Sequence, residues 1–345
     1  MCTTFTFQRD KSFVLAQNYD FYYGHGLIVV SPRGLMKQSL TKDAAQKVTW
    51  VSNYGTVTFT QFGRELPMSG MNEKGLTIAM MHQEDGQFPA EDDRPGLNEL
   101  QWIQYQLDQF KSVEEVIEHV EDFRLEKSVY ELHYTIADST GRTALIDFID
   151  GVCHVTEHAE CYTMTNTSYE KSIAHAKKFE KSPLENFSNK TTSLDRFCLV
   201  NRLVKDVQSQ STLENPIQKS FELLEKVAAK PSDQTQWEWV GNGVPPTFTY
   251  WSIVFDIYSQ TIYYRDLQNH EIRSIHLDDF HFSNEVMALA LDNKASGRIS
   301  SQFQPYETKD NERIILLSYE PMSDIFPLNE QRELINYPDS IKRVL

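Results

Sequence analysis

The sequence predicts an α+β fold in which two antiparallel sheets carry helices on their outer faces. Three observations carry this reading. Strand-like segments come first, then two helical stretches, more strands, two more helices and strands again. Hairpin patterns stand at Thr3–Phe7 with Phe13–Ala16 and at Trp251–Tyr258 with Thr261–Leu267. No Pro- or Ser-rich linker interrupts the series, so residues 2–345 read as one domain. Within it, 281–345 form a C-terminal extension whose packing the pattern does not define.

Thr3–Phe7 is rich in β-branched and aromatic residues, Gln8–Ser12 is polar and turn-like, and Phe13–Ala16 resumes an apolar run. Strand-like pieces follow at Gly26–Val30, Val48–Val51, Val57–Gln61 and Leu76–Met81, the last after a turn at Met71–Gly75. Leu97–Phe110 and Val113–Val120 place apolar residues at helical spacing. Ser112 with Glu115 forms a capping-box pattern for the second of these. Tyr134–Asp138, Ala144–Ile149 and Tyr162–Thr165 read as strands. Asp195–Val207 and Ile217–Ala229 read as amphipathic helices. Ile314–Ser318 reads as a strand, and Trp237–Trp239 with Gly241–Gly243 as a loop.

Composition narrows the class. A chain of 345 residues with 40% hydrophobic content can bury a large core. A net charge of −16 argues against a nucleic-acid partner, because phosphate binding needs basic patches. Without a run of 18 apolar residues no transmembrane helix is expected, and the N-terminus lacks a signal-peptide pattern, so a cytoplasmic enzyme is the expectation. Four cysteines are too few for a disulfide scaffold of this size.

Cys2 carries the most chemistry. If Met1 is removed, one residue holds both a thiol and a free α-amine. A thiol is a strong nucleophile only as thiolate, and an α-amine accepts a proton near neutrality. Together they form a minimal unit of covalent catalysis. A hairpin centred near Asp10 makes cross-strand partner numbers sum to 20–21, which sets Cys2 opposite Asn18 or Tyr19 and brings Gln17 to Asp20 around it. Taken singly, Asp20 reads as a strand-end carboxylate, Asn166 as a turn residue, Arg196 as a helix-start salt-bridge partner and His82 as an ordinary histidine. Cys153, His154, His158 and Cys161 invite a zinc reading, but paired strands over 152–156 and 161–165 would set Cys153 and His154 on opposite faces.

Five ordered segments carry a resemblance. They are Cys2-Thr3-Thr4, Gln17-Asn18-Tyr19-Asp20-Phe21, Asn72-Glu73-Lys74-Gly75-Leu76, Thr165-Asn166, and Ser193-Leu194-Asp195-Arg196-Phe197. Together they resemble the linear amide C–N hydrolase (choloylglycine hydrolase) family, which holds bile salt hydrolases and penicillin V acylases. That resemblance implies a four-layer αββα sandwich, the N-terminal nucleophile hydrolase fold, with autoprocessing at the N-terminus. It implies an amidohydrolase acting on an acyl-amide through a Cys2 thioester, with no cofactor or metal and assembly as a homotetramer or dimer. Asp20 would orient the amine or thiol, the Asn166 amide would face the oxyanion, and the His82 backbone N–H would be a second donor. Arg196 would lie near the nucleophile, and Gln17 would border it. Gln17 stands where bile salt hydrolases and penicillin V acylases place arginine. At that point the chain is more similar to acyltransferases of penicillin biosynthesis, so acyl transfer stands as an alternative, as does an inactive binding protein on the same fold.

Overall fold

The computed structural model describes residues 2–9, 11–41, 46–128, 130–187, 192–210, 213–230, 247–320 and 326–344. Its first hairpin joins Thr3–Arg9 to Ser12–Phe21 with Thr3 opposite Asn18 and Thr4 opposite Gln17, a constant sum of 21. Phe248–Asp256 pairs with the second of these strands across a bulge between Thr249 and Trp251. Thr261–Asp266 then continues the sheet by the second expected hairpin. The full sheet has seven strands and ends at Thr163–Met164 on one side.

A nine-stranded sheet lies behind it, centred on Leu132–Ala137, Thr77–His82, Pro67–Asn72 and Thr56–Thr60. Alternation along the first hairpin explains the layering. Thr4 and Gln17 face the second sheet, where Thr4 Oγ1 meets Thr135 Oγ1 at 2.7 Å and the Gln17 amide donates to Met80 O at 2.8 Å. Phe5, Phe7, Val14 and Ala16 face the other way, into a separate core with Val200, Val204, Phe221 and Leu224. Fully burying each such phenylalanine or leucine stabilises the fold by about 1.5–3 kcal/mol.

That outer core is roofed by helices α4 (Ser193–Ser209) and α5 (Pro216–Val227), with α3 (Tyr169–Lys178) against α4. Helix α1 (Glu99–Gln109) covers the second sheet along Pro67–Asn72, and the short α2 (Val113–Glu118) follows it. The layers therefore run helix, sheet, sheet, helix. Helix starts obey local chemistry: Asn98 caps α1, Thr192 caps α4, and Asn215 caps α5 ahead of Pro216. Ser112 accepts from Glu115 N as expected. The Glu115 carboxylate turns instead to Lys111 N, so half of that capping box forms. No described helix is long and apolar enough to cross a membrane.

Three sequence expectations are corrected. Ile314–Ser318 is not a strand; it lies inside α6 (Thr308–Tyr319), whose capping box of Glu307 with Asp310 commits the apolar run to helix. Val152–Thr156 pairs with Thr143–Ile149 in the second sheet, whereas Thr163–Met164 pairs with the first hairpin, so the two are not partners. Met71 and Asn72, expected as the start of a turn, instead end the buried strand Pro67–Asn72, which forms despite its Pro, Ser and Gly content. The loop expected at Trp237–Trp239 and Gly241–Gly243 lies outside the described residues. A final helix, α7 (Leu328–Ser340), packs on α6.

Candidate active site

Cys2 sits one residue before the first strand and is 4% exposed. Register continues to place it opposite Tyr19, on the face that looks between the sheets. Its backbone N–H donates to Asn166 Oδ1 at 2.9 Å, and its thiol lies 3.7 Å from the carbonyl oxygen of Asp20. Burial pushes the Cys2 thiol above its ordinary value, and the Asp20 charge adds to this; the positive amino terminus and Arg196 pull it back toward thiolate.

Asn166 is the hub. Its Oδ1 accepts from Cys2 N and from Arg196 Nη2 at 2.5 Å, and its Nδ2 donates to His82 O at 2.9 Å. Nδ2 carries a second hydrogen, which suits it to a further acceptor. The first turn of α4 builds this arrangement. Ser193 Oγ accepts from Asn166 N at 2.9 Å and meets Thr165 Oγ1 and Thr167 Oγ1, while Arg196, three residues on and hence on the same helix face, holds the Asn166 side chain. Arg196 is fully buried; desolvation lowers its pKa, opposed first by the charge of Asp20.

Asp20 offers its backbone carbonyl to the thiol, and its carboxylate Oδ1 accepts from Thr249 Oγ1 at 2.5 Å. His82 ends the strand Thr77–His82, and its ring lies tilted against Tyr130 with centroids 4.7 Å apart. Burial, then the amino-terminal charge, holds its imidazole down to about 4, so the ring is neutral at physiological pH. Gln17 is fully buried opposite Thr4, with its amide on Met80 O. It bridges the two sheets below the site and does not line the cavity beside Cys2.

That cavity, about 140 Å³, is bordered by Cys2, Asp20 and His82 at one end and by apolar side chains such as Phe21, Phe62 and Met80 beyond. Among the described residues lining it there is no Lys or Arg.

Sequence reasoning missed two supports. His133 is completely buried, with Nδ1 2.9 Å from Asp147 Oδ1 and Nε2 2.7 Å from the carbonyl oxygen of Thr165, next to Asn166. Asn72, quoted only as part of a motif, brackets its own turn through Lys74 N and Leu76 N and reaches α1 through Leu107 O and Phe110 O. Gly75 in that turn has φ +87°, and a Cβ there would sit 3.1 Å from Ser139 Cβ. Ser193 was visible in the sequence, but nothing there distinguished it from an ordinary helix-start serine. Cys153 packs in the main core and Cys161 in the outer one. Among the described residues no group of three ligating side chains forms.

A buried cysteine at the head of an inner strand, between two sheets roofed by helices, is the arrangement of the N-terminal nucleophile hydrolase fold. A family model described as linear amide C–N hydrolases, choloylglycine hydrolase family, matches residues 2–288, and the chain belongs to that family of hydrolases. A penicillin V acylase of Pectobacterium atrosepticum is 31% identical over 135 residues; the match spans 34% of this chain and only 36% of that relative. The penicillin V acylase of Agrobacterium tumefaciens has a similar structure, with TM-score 0.75 at 20% identity over 89% of this chain and 98% of that one. A mutant of the conjugated bile acid hydrolase from Clostridium perfringens gives TM-score 0.71 at 18% identity over 86% and 98%. At those identities the likeness is one of fold.

Proposed function

We propose that the chain is an N-terminal-cysteine amidohydrolase that cleaves a linear acyl-amide through a Cys2 thioester. The observation that carries this is the junction at Asn166, which joins the nucleophile's nitrogen, the Arg196 cation and the His82 carbonyl; Cys2 and His82 line the cavity, while Asn166 and Arg196 stand behind them.

Removal of Met1 frees the α-amine. The thiol proton passes to that amine as sulfur bonds to the substrate carbonyl carbon. The carbonyl electron pair moves to oxygen, where the second Asn166 Nδ2 hydrogen and the His82 backbone N–H would receive it. Collapse breaks the carbon–nitrogen bond, and the ammonium returns its proton to the leaving nitrogen. Water then adds to the thioester carbon and gives a proton to the amine. The carbon–sulfur bond breaks, and the sulfur recovers a proton. Arg196 supplies fixed positive charge near the sulfur without exchanging a proton, since guanidinium stays protonated in proteins.

Intact-mass analysis tests both halves. The purified protein should lack Met1, and rapid quenching with an activated acyl-amide should show one acyl mass added on the Cys2 peptide. Cys2→Ala should show neither the adduct nor hydrolysis. Retention of Met1 in fully active protein, or undiminished turnover by Cys2→Ala, would overturn the mechanism.

A further inference from the structure

The family model ends at residue 288, yet two side chains beyond it, Tyr319 and Phe326, stand on the wall of the Cys2 cavity. We infer that the described residues beyond 288 form a specificity element of this enzyme: Tyr319 and Phe326 close the far end of the acyl pocket and limit the length of an uncharged, apolar acyl group. This rests on the amidase reading above.

The segment is held in place by its own buried polar groups. Helix α6 turns Asn311, Ile314, Ile315, Ser318 and Tyr319 inward. Asn311 Oδ1 accepts from Arg64 N at 2.8 Å, and its Nδ2 donates to Leu334 O and Ile335 O of α7. Ser318 Oγ donates to Gln61 O at 3.1 Å. Gln61 in turn accepts from the hydroxyl of Tyr19, the residue that faces Cys2. A buried polar group left unmatched costs about 1–3 kcal/mol, so these bonds select one seating of α6 on the Gln61–Arg64 loop.

That seating completes a run of rings leading away from the nucleophile. Tyr19 and Phe21 lie 5.9 Å apart between centroids, Phe21 and Phe62 5.5 Å, Phe62 and Tyr319 5.4 Å, and Tyr319 and Phe326 4.7 Å. The last two rings are the only ones in the run from outside the family-matched region. The chemistry of the occupant follows from the walls. No Lys or Arg is among the described lining residues. A carboxylate at the end of the acyl chain would be desolvated without a counter-charge, which is costly. An alkyl or aryl end is rewarded by burial.

Kinetics on amides of one chromogenic amine with straight acyl chains of increasing length, plus phenylacetyl and ω-carboxyacyl members, test this. Wild type should pass through an optimum and fall for longer chains, with ω-carboxyacyl amides poor throughout. Phe326→Ala should raise the ratio of kcat/KM for the first disfavoured longer chain over the optimal one by about tenfold or more, and Phe326→Trp should lower it. Tyr319→Leu should act in the same direction as Phe326→Ala; because Tyr319 is deeply buried, the half-buried Phe326 pair carries the test if that variant fails to fold. If wild type forms no Cys2 acyl-enzyme with any member, the amidase reading fails. If acyl-enzyme forms but both Phe326 variants keep the wild-type length profile, or change turnover equally for all lengths, the inference fails while the amidase reading stands.

Discussion

Arg196 places its Nη2 2.5 Å from the side-chain oxygen of Asn166, deep in the protein. With the Cys2 N–H on the same oxygen, the carboxamide has one orientation open to it: oxygen toward Arg196, nitrogen toward His82 O. A cation on the oxygen also polarises the amide and strengthens its N–H groups as donors. Asn166→Asp should keep the pairing with Arg196, yet it loses the donor and sets a carboxylate oxygen against His82 O. We expect kcat to fall by about 10²–10³, or about 2.7–4 kcal/mol of barrier, together with a lower Tm. A variant retaining full kcat would remove Asn166 from oxyanion binding.

The thiol responds to the same cation. Burial raises the Cys2 pKa and Arg196 lowers it, so alkylation of Cys2 should accelerate as pH rises. Arg196→Gln should move the inflection to higher pH, because a charge that favours thiolate is gone. Peptide mapping isolates the signal: burial lifts Cys153 to about 12, and Cys161 and Cys198 to about 11, so these stay protonated over most of the range. An inflection that stays put or moves down in Arg196→Gln contradicts the assigned role.

How much of this was legible is decided by range along the chain. The hairpin register was readable to within one residue, as a sum of 20–21, because two strand-like runs flank a polar turn; the structure has 21, which selects Tyr19 over Asn18 as the residue opposite Cys2. The gathering of Asn166 and Arg196 was readable only as ordered motifs, since a contact between residues 2 and 166 leaves no local pattern. What stayed hidden was of two kinds. Apolar runs such as Ile314–Leu317 suit helix and strand alike until a cap decides. His133 and Asp147 lie on neighbouring strands, and nothing in sequence separates a buried pair from two scattered polar residues. Gln17 was readable as a neighbour of the nucleophile's strand but not as a bridge to Met80 O, which depends on the second sheet.

His82 predicts a pH dependence of stability. Its imidazole is held down to about 4 in the fold, against 6.5 for the ordinary side chain. The unfolded chain therefore takes up a proton that the folded chain refuses. The stabilisation is fully present above about pH 6.5 and is lost as pH falls toward about 4. Urea-unfolding free energies in that window should decline by up to one proton's slope from this group. In His82→Asn, which keeps the backbone N–H and carbonyl, the decline should be shallower by that amount. Parallel profiles for the two proteins would exclude the histidine as the source.

His133 gives the last prediction, because it separates a supporting role from a chemical one. Its ring spans the Asp147 carboxylate and the Thr165 carbonyl, and Asp147 Oδ2 also accepts from Tyr169 N at 3.2 Å, at the start of α3. The pair thus ties two neighbouring strands and α3 to the residue before Asn166, without touching the cavity. His133→Leu would leave a buried carboxylate without its side-chain partner, and should destabilise the protein by about 3–5 kcal/mol. His133→Leu combined with Asp147→Leu should recover a good part of that loss, since two apolar groups can replace a buried polar pair at small net cost. Chemical denaturation of the three variants measures the coupling. Activity in the double variant reads the remaining role: if the pair only positions Thr165 and Asn166, kcat should drop while the pH profile of Cys2 alkylation keeps its shape. A double variant no more stable than His133→Leu would show that packing around the ring, rather than the orphaned carboxylate, carries the energy.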